Sequence, residues 1–320
     1  MGIGVSTFVE PSGSIGGESG LVRIERDGKV TLVTGSHSHG QGHETSFAQV
    51  IADQMHVPLG QVRVVHGDTA AIERGIGTFA SRSMMLGGSA GVVAATRVVD
   101  KARRIAAHQL EATIADVEPV EGGFAVAGAP ARRVSWREIA QAAYGGGGLP
   151  AGEEPGLEAT ELFDPQRELW PFGTHVAVVR VDRDTGDVKI ERIVAVDDCG
   201  NVVNPLIVEG QVQGGIAQAV GQALVERVQF DADGQLLSGS LGDYALPRAE
   251  DVPPLILDHT VTPTPFNPLG AKGVGEAGTN GCPPAIANAV MDALAPLGIR
   301  HLDLPFSPDR VWQAIQRATR

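Results

Sequence analysis

The residues whose types and spacing best suit chemistry lie in Gly270-Ala271-Lys272-Gly273-Val274-Gly275-Glu276-Ala277-Gly278, where one carboxylate, Glu276, stands in a glycine-rich loop. Glycine lets backbone approach a ligand closely, and a carboxylate held in such a concave loop can act as a general base. The same Glu could instead be a solvated side chain near a helix start, favoured there by the helix dipole. The helix is predicted from about Pro283 to Leu294: Pro pre-sets φ for a first turn, and Ile286, Ala289, Val290 and Ala293 recur at helical spacing.

Four further segments bear on that choice. Gly35-Ser36-His37-Ser38-His39-Gly40-Gln41-Gly42-His43-Glu44-Thr45 follows a strand predicted over Lys29 to Thr34 and opens a helix running to about Met55. Backbone N–H groups at such a turn suit anionic or polar cofactor atoms. Gly77-Thr78-Phe79-Ala80-Ser81-Arg82-Ser83 gathers hydroxyls and one Arg between a strand at Gln61 to His66 and a helix predicted from Met84 to about Ala115. Ordinary N-cap chemistry would also account for it. Gln211, Gly214, Gly215 and Gln218 neighbour one another on a predicted helix that otherwise carries small residues, and the polar turn Val196 to Pro205 leads into it.

Taken together and in this order, these segments resemble the C-terminal half of the molybdenum-binding subunit of the xanthine dehydrogenase, aldehyde oxidoreductase and aerobic carbon monoxide dehydrogenase family. The resemblance runs from about Gly2 to the C-terminus. It implies that Gly40, Gln41 and Gly42, with Thr78, Phe79, Ala80, Ser81, Arg82 and Ser83, hold a molybdopterin cofactor and its oxo groups. It also implies that Gln218 approaches the apical oxo group, that Lys272, Gly273 and Gly275 belong to the cofactor loop, and that Glu276 is the base. Under that resemblance molybdenum takes no ligand from the protein. The implied activity is oxidation of an aldehyde or N-heterocycle with water-derived oxygen and hydride passing to a molybdenum sulfido group; a carbon monoxide dehydrogenase half is the alternative. Electrons would leave to 2Fe-2S and FAD centres on partner subunits, since no motif for them occurs here. The cytosine dinucleotide is one form of the cofactor the resemblance admits. Family subunits are usually more than twice as long, so an N-terminal-half polypeptide is a further expected partner, and the chain reads as a split subunit or a fragment.

Composition is that of a globular protein: 320 residues, 42% hydrophobic, with a formal charge of −13. No basic stripe points to nucleic acid as partner. Cys199 and Cys282 form no disulfide framework and read as small buried residues, Cys199 the nearer to cofactor. No apolar run is long enough to span a membrane, and a cytoplasmic protein is expected.

Two hairpins organise the chain. Leu21 to Leu32 alternates around Asp27-Gly28, and Val176 to Val194 does so around Asp184-Thr185-Gly186-Asp187. Each is followed by a glycine-rich loop and a Gln-bearing helix. The expected fold is therefore α+β, two similar α/β units of hairpin, glycine-rich loop and helix flanking a shared cleft, which the resemblance implies is a molybdopterin cleft. Residues 1–144, with a short helix from Ser135 to Ala143, are assigned to the first unit, 145–161 to a flexible connection and 162–320 to the second. A reading of a different class rests on His37, His39 and His43, whose H-x-H-x3-H spacing suits zinc in a hydrolase or metal-binding module.

Overall fold

A computed structural model describes residues 1–13, 16–72, 74–145 and 148–319. Val30-Thr31-Leu32-Val33-Thr34 is β-branched or apolar at every position and buried throughout, so it forms an inner strand, β3 (Val30–Thr34). It pairs antiparallel with β2 (Glu18–Ile24) across the Asp-Gly turn and parallel with β4 (Val62–Val65). Between them runs α1 (His43–Met55), and after β4 comes α2 (Ser89–Gln109), entered through a π-helical turn at Met84–Gly88. A three-stranded meander, β5 (Val117–Val120), β6 (Gly123–Val126) and β7 (Ala129–Ser135), and α3 (Trp136–Gly145) complete this unit.

The second unit repeats the plan. The hairpin β9 (Phe172–Val181) and β10 (Val188–Asp198) is antiparallel, β10 pairs parallel with β11 (Leu255–His259), and α4 (Pro205–Leu224) and α5 (Ala277–Leu294) follow β10 and β11. A C-terminal helix, α6 (Pro308–Ala318), closes it. In both units the order is hairpin, helix, parallel strand, helix. Each has its own core, one around Ile24, Leu32, Phe47 and Ile105, the other around Val179, Ile193, Ile216 and Ile286.

The units exchange a strand. β1 (Gly2–Val9) precedes the first hairpin in sequence but pairs antiparallel with β9 of the second, from Gly2 opposite Val179 to Val9 opposite Phe172. β8 (Glu158–Phe163) precedes the second hairpin but pairs antiparallel with β2 of the first. The sheet orders are thus β4-β3-β2-β8 and β1-β9-β10-β11. The sheets cross the contiguous division expected at 144 and 162, because alternation within a strand fixes which face is buried but not which hairpin it joins. The same exchange places Glu158 to Glu161 of the expected connection in β8; Gly146 and Gly147 of that connection lie outside the described residues.

Two helix boundaries differ from expectation. α2 ends at Gln109, with Glu111 in the left-handed region, well before Ala115. α5 begins at Ala277, so Pro283 and Pro284 lie inside it and not at its start. A proline interior to a helix forfeits a backbone bond at a cost of about 3 kcal/mol. Close packing of the first turns offsets it: a Cβ on Gly278 would come within 2.5 Å of the Gly215 backbone of α4, and one on Gly281 within 2.7 Å of the His175 ring of β9.

Candidate active site

A cavity of about 220 Å³ lies between the units, walled by the loop before α2, the start of α1, the first half of α4 and the loop before α5. Its most distinctive wall is Ala80-Ser81, two consecutive non-glycine residues in the left-handed region, with φ of 49° and 51°. That conformation costs of order 1 kcal/mol or more per residue and persists only where surroundings impose it. Arg82 imposes it here. Its guanidinium is fully buried and donates to Glu18 Oε2 at 2.7 Å, the Gly77 carbonyl at 2.8 Å and the Gly17 carbonyl at 3.0 Å. Its charge is therefore spent on Glu18 at the start of β2, and Arg82 fixes the loop.

Ser81 is thereby presented to Glu276, the residue that caps α5. Ser81 Oγ donates to Glu276 Oε2 at 2.8 Å, and the Glu276 N–H donates to Ser81 Oγ at 3.1 Å. The two loops meet closely because position 273 is glycine: a Cβ there would lie 2.5 Å from Ser81 Cβ. Gly273 works as a spacer behind the wall, while Gly275 and Glu276 line the cavity.

The loop before α5 is anchored from behind. Lys272 Nζ lies 2.7 Å from Asp198 Oδ1 at the end of β10, both residues being buried. Burial alone would push the Asp198 carboxyl upward. The Lys272 ammonium, the Thr262 hydroxyl, the Gly200 N–H and the Thr260 hydroxyl outweigh it and hold Asp198 down at about 2. Cys199, beside it on the cavity wall, is pushed up to about 11 by burial and by the Asp198 charge, and is a neutral thiol. Burial alone takes Cys282 up to about 12.

Of the residues expected from sequence, Gln41, Thr78 through Ser83, Lys272, Gly275 and Glu276 line the cavity together. Gly40 and Gly42 flank Gln41 with φ of 108° and 72°, which shapes the turn without forming the wall. Gln218 is placed differently. It is exposed and lies outside the lining, about 10 Å along α4 from Gln211, which takes the cavity position instead. Both glutamines follow a glycine-rich pattern, and helical spacing alone does not say which turn meets the cavity. Asn204 was also not singled out: it caps α4, accepting from the Ile207 N–H at 3.1 Å, and reaches Gln49 of α1 at 2.8 Å. An Asn-Pro pair at a helix start was the available signal.

The histidine cluster does not assemble as a zinc site. Among the described residues no group of three or more His, Cys, Asp and Glu side chains is placed to share a metal ion. His37 and His39 lie ring against ring at 4.9 Å, while His43 turns inward, stacked on Phe47 at 5.1 Å. Burial lowers the His43 pKa, so its ring is neutral, and its Nδ1 is a buried polar atom without a partner beside the cavity.

Residues 1–253 match the pattern that defines the molybdopterin cofactor-binding domain. The chain is 41% identical to the carbon monoxide dehydrogenase large chain of Hydrogenophaga pseudoflava, over 99% of this chain and 40% of the relative. It is 37% identical to the nicotine 6-hydroxylase large subunit of Paenarthrobacter nicotinovorans, over 98% of this chain and 40% of that one. Among solved structures, quinoline 2-oxidoreductase from Pseudomonas putida 86 superposes with a TM-score of 0.91 at 40% identity, covering 98% of this chain and 42% of that chain. The chain thus spans about two fifths of the length of these relatives. Repeated fold, cavity and sequence pattern agree that the chain belongs to the molybdopterin cofactor-binding domain family.

Proposed function

We propose that this chain is the cofactor-holding portion of the large subunit of a molybdenum hydroxylase, with Glu276 as its general base. The observation that carries the reading is Glu276, the one carboxylate among the residues lining the cavity shared by the two repeats, at a helix N-terminus with one oxygen fixed by Ser81. The residues present fit a pterin cofactor. Gln211 and Thr78 line the cavity with neutral hydrogen-bonding groups, Gln41, Ser83 and Asn204 add polar lining that is already tied to neighbouring protein groups, and His43 Nδ1 is a buried polar atom without a partner. Gly40 and Gly77, both at positive φ, have nothing within 4 Å of where a Cβ would stand, so no side chain crowds these two turns beside the cavity.

When bound, the cofactor supplies a redox centre able to take two electrons from a substrate carbon. The chain's own part is positional and acid–base. Glu276, at the N-terminus of α5, takes up a proton. Ser81, held in the left-handed region by the buried Arg82, keeps the carboxylate turned toward the cavity. Gln41 and Gln211, one from each repeat, both line the cavity and hold polar edges of the ligand. The relatives act on carbon monoxide or nicotine by name, so the similarity leaves both a small inorganic carbon substrate and an N-heterocycle or aldehyde to be assayed.

Partner chains follow from the same reading. The cavity, about 220 Å³, is smaller than the ~300–1,000 Å³ of typical ligand sites, which supports a site completed by a partner chain. β1 is a sheet edge whose Ile3, Val5 and Val9 are exposed, and the stretch after α4 exposes Val228, Phe230, Leu236, Leu237 and Leu241. An N-terminal-half polypeptide would cover such surfaces, and iron–sulfur and FAD subunits would carry the electrons away. No helix among the described residues is long and apolar enough to cross a membrane; a cytoplasmic complex remains part of the proposal.

The test is Glu276→Gln in the assembled complex, which keeps the shape and removes the base. Turnover is expected to fall at least ~10²-fold with molybdenum content unchanged. Retention of half the activity would remove Glu276 from the role.

A further inference from the structure

Ser81 has more hydrogen-bond contacts than it has hydrogens to fill them. Its Oγ accepts the Glu276 N–H at 3.1 Å, lies 2.8 Å from Glu276 Oε2 and also lies 3.2 Å from Glu10 Oε1. A hydroxyl brings one hydrogen. If both carboxyls were ionised, one of them would face the Ser81 oxygen with no hydrogen between. All three contacts of Ser81 are satisfied when one carboxyl carries a proton and donates it to Ser81.

Which carboxyl carries it follows from their surroundings. Glu10, just beyond β1, is buried with 9% exposure, and its Oε2 has no partner. Glu276 reaches the cavity and caps a helix, where charge is favoured. The groups that bear on Glu10 are Glu276 and Asn280 from α5 and Ser81 from the loop before α2. Neither nearby cation neutralises it: Lys272 pairs with Asp198, and Arg82 with Glu18. Burial first, then the Glu276 carboxylate, raises the Glu10 carboxyl to about 8.

We infer that Glu10 is a positioning residue held as the neutral acid, which donates to Ser81 and so frees the Ser81 hydroxyl to fix an ionised Glu276. The inference rests on the reading of Glu276 as base, yet the proton on Glu10 can be observed without turnover. If Glu10 ionised, Ser81 could serve only one of two like charges, and Glu276 would lose its fixed oxygen.

The experiment compares the parent chain with Glu10→Gln by infrared titration across neutral and alkaline pH. The parent is expected to show a protonated-carboxyl C=O band that disappears near pH 8, and Glu10→Gln to lack it, since the amide donates to Ser81 without titrating. An identical titrating band in Glu10→Gln overturns the inference. Should that variant not fold, Ser81→Ala deletes the acceptor: the band must then move toward that of a free acid, and an unmoved band refutes the contact. In the assembled complex, Glu10→Gln should lower turnover far less than the ~10²-fold of base removal. It should also abolish an alkaline inflection near pH 8 that the parent shows. A loss as large as that of Glu276→Gln would make Glu10 more than a positioning residue. Full activity of Glu276→Gln would instead overturn the base assignment while leaving the infrared result standing.

Discussion

Replacing Lys272 by Met tests how the base-bearing loop is anchored. The Lys272 ammonium and the Asp198 carboxylate lie 2.7 Å apart, with 8% and 1% exposure, so neither charge has water to fall back on. The downward shift of Asp198 from 3.8 to about 2 corresponds, at ~1.36 kcal/mol per unit, to roughly 2–3 kcal/mol of stability at neutral pH. Because the folded value is depressed, that contribution is complete above about 4 and is lost as pH falls toward 2. Removing only the cation leaves Asp198 buried with the Thr260 and Thr262 hydroxyls and the Gly200 N–H. The expected cost is ~3–5 kcal/mol, the range for breaking one side of a buried pair. Asp198 would then titrate higher, nearer its ordinary value, so the loss of stability between about pH 4 and the acid limit should be smaller in the variant than in the parent. Urea unfolding of the parent, Lys272→Met, Asp198→Asn and the double variant at pH 7 and at about pH 3, inside the window where Asp198 titrates, measures all of this. The double variant is expected to recover part of the loss. A Lys272→Met cost below ~1 kcal/mol, or strict additivity in the double variant, would refute the claim that this pair holds the loop.

Gln211→Ala is expected to reduce cofactor content of the assembled complex by leaving a buried ligand edge unpaired, at ~1–3 kcal/mol, whereas Gln218→Ala should bind as the parent does; equal molybdenum content in both variants would count against the Gln211 assignment. Gly278→Val should destabilise the protein by more than ~2 kcal/mol in thermal or chemical unfolding, because even a Cβ there would meet the Gly215 backbone at 2.5 Å. A variant as stable as the parent would mean that α4 and α5 can separate freely.

Much of this was legible in the sequence because the signals are local. The Asp-Gly and Asp-Thr-Gly-Asp turns set both hairpins, and the glycine spacing around Glu276 marked the loop that bears it. What was not legible depends on partners distant in sequence. Glu10 is an unremarkable acid after a strand until Ser81 and Glu276 are brought to it across the fold. Arg82 is expected among the cofactor-holding residues until Glu18 is found against it. Gln211 and Gln218 differ only in which turn of α4 meets the other repeat, and Pro283 misleads because packing of Gly278 and Gly281 outweighs its preference for a first turn.

The reciprocal placement of β1 and β8 has a consequence for how the protein is made. The first sheet lacks its outer antiparallel strand until Glu158–Phe163 has been synthesised, and β1 must wait for a partner beginning at Phe172. During that interval β1 is an apolar ribbon, Ile3, Val5 and Val9 among its residues, with no sheet to join, and closing it requires a loop of well over a hundred residues. Such distant pairing makes folding slow and ties the two lobes into one cooperative event. Cutting the chain between α3 and β8 would therefore yield two pieces that each lack an edge strand and carry the other's, which recover structure only by recombining.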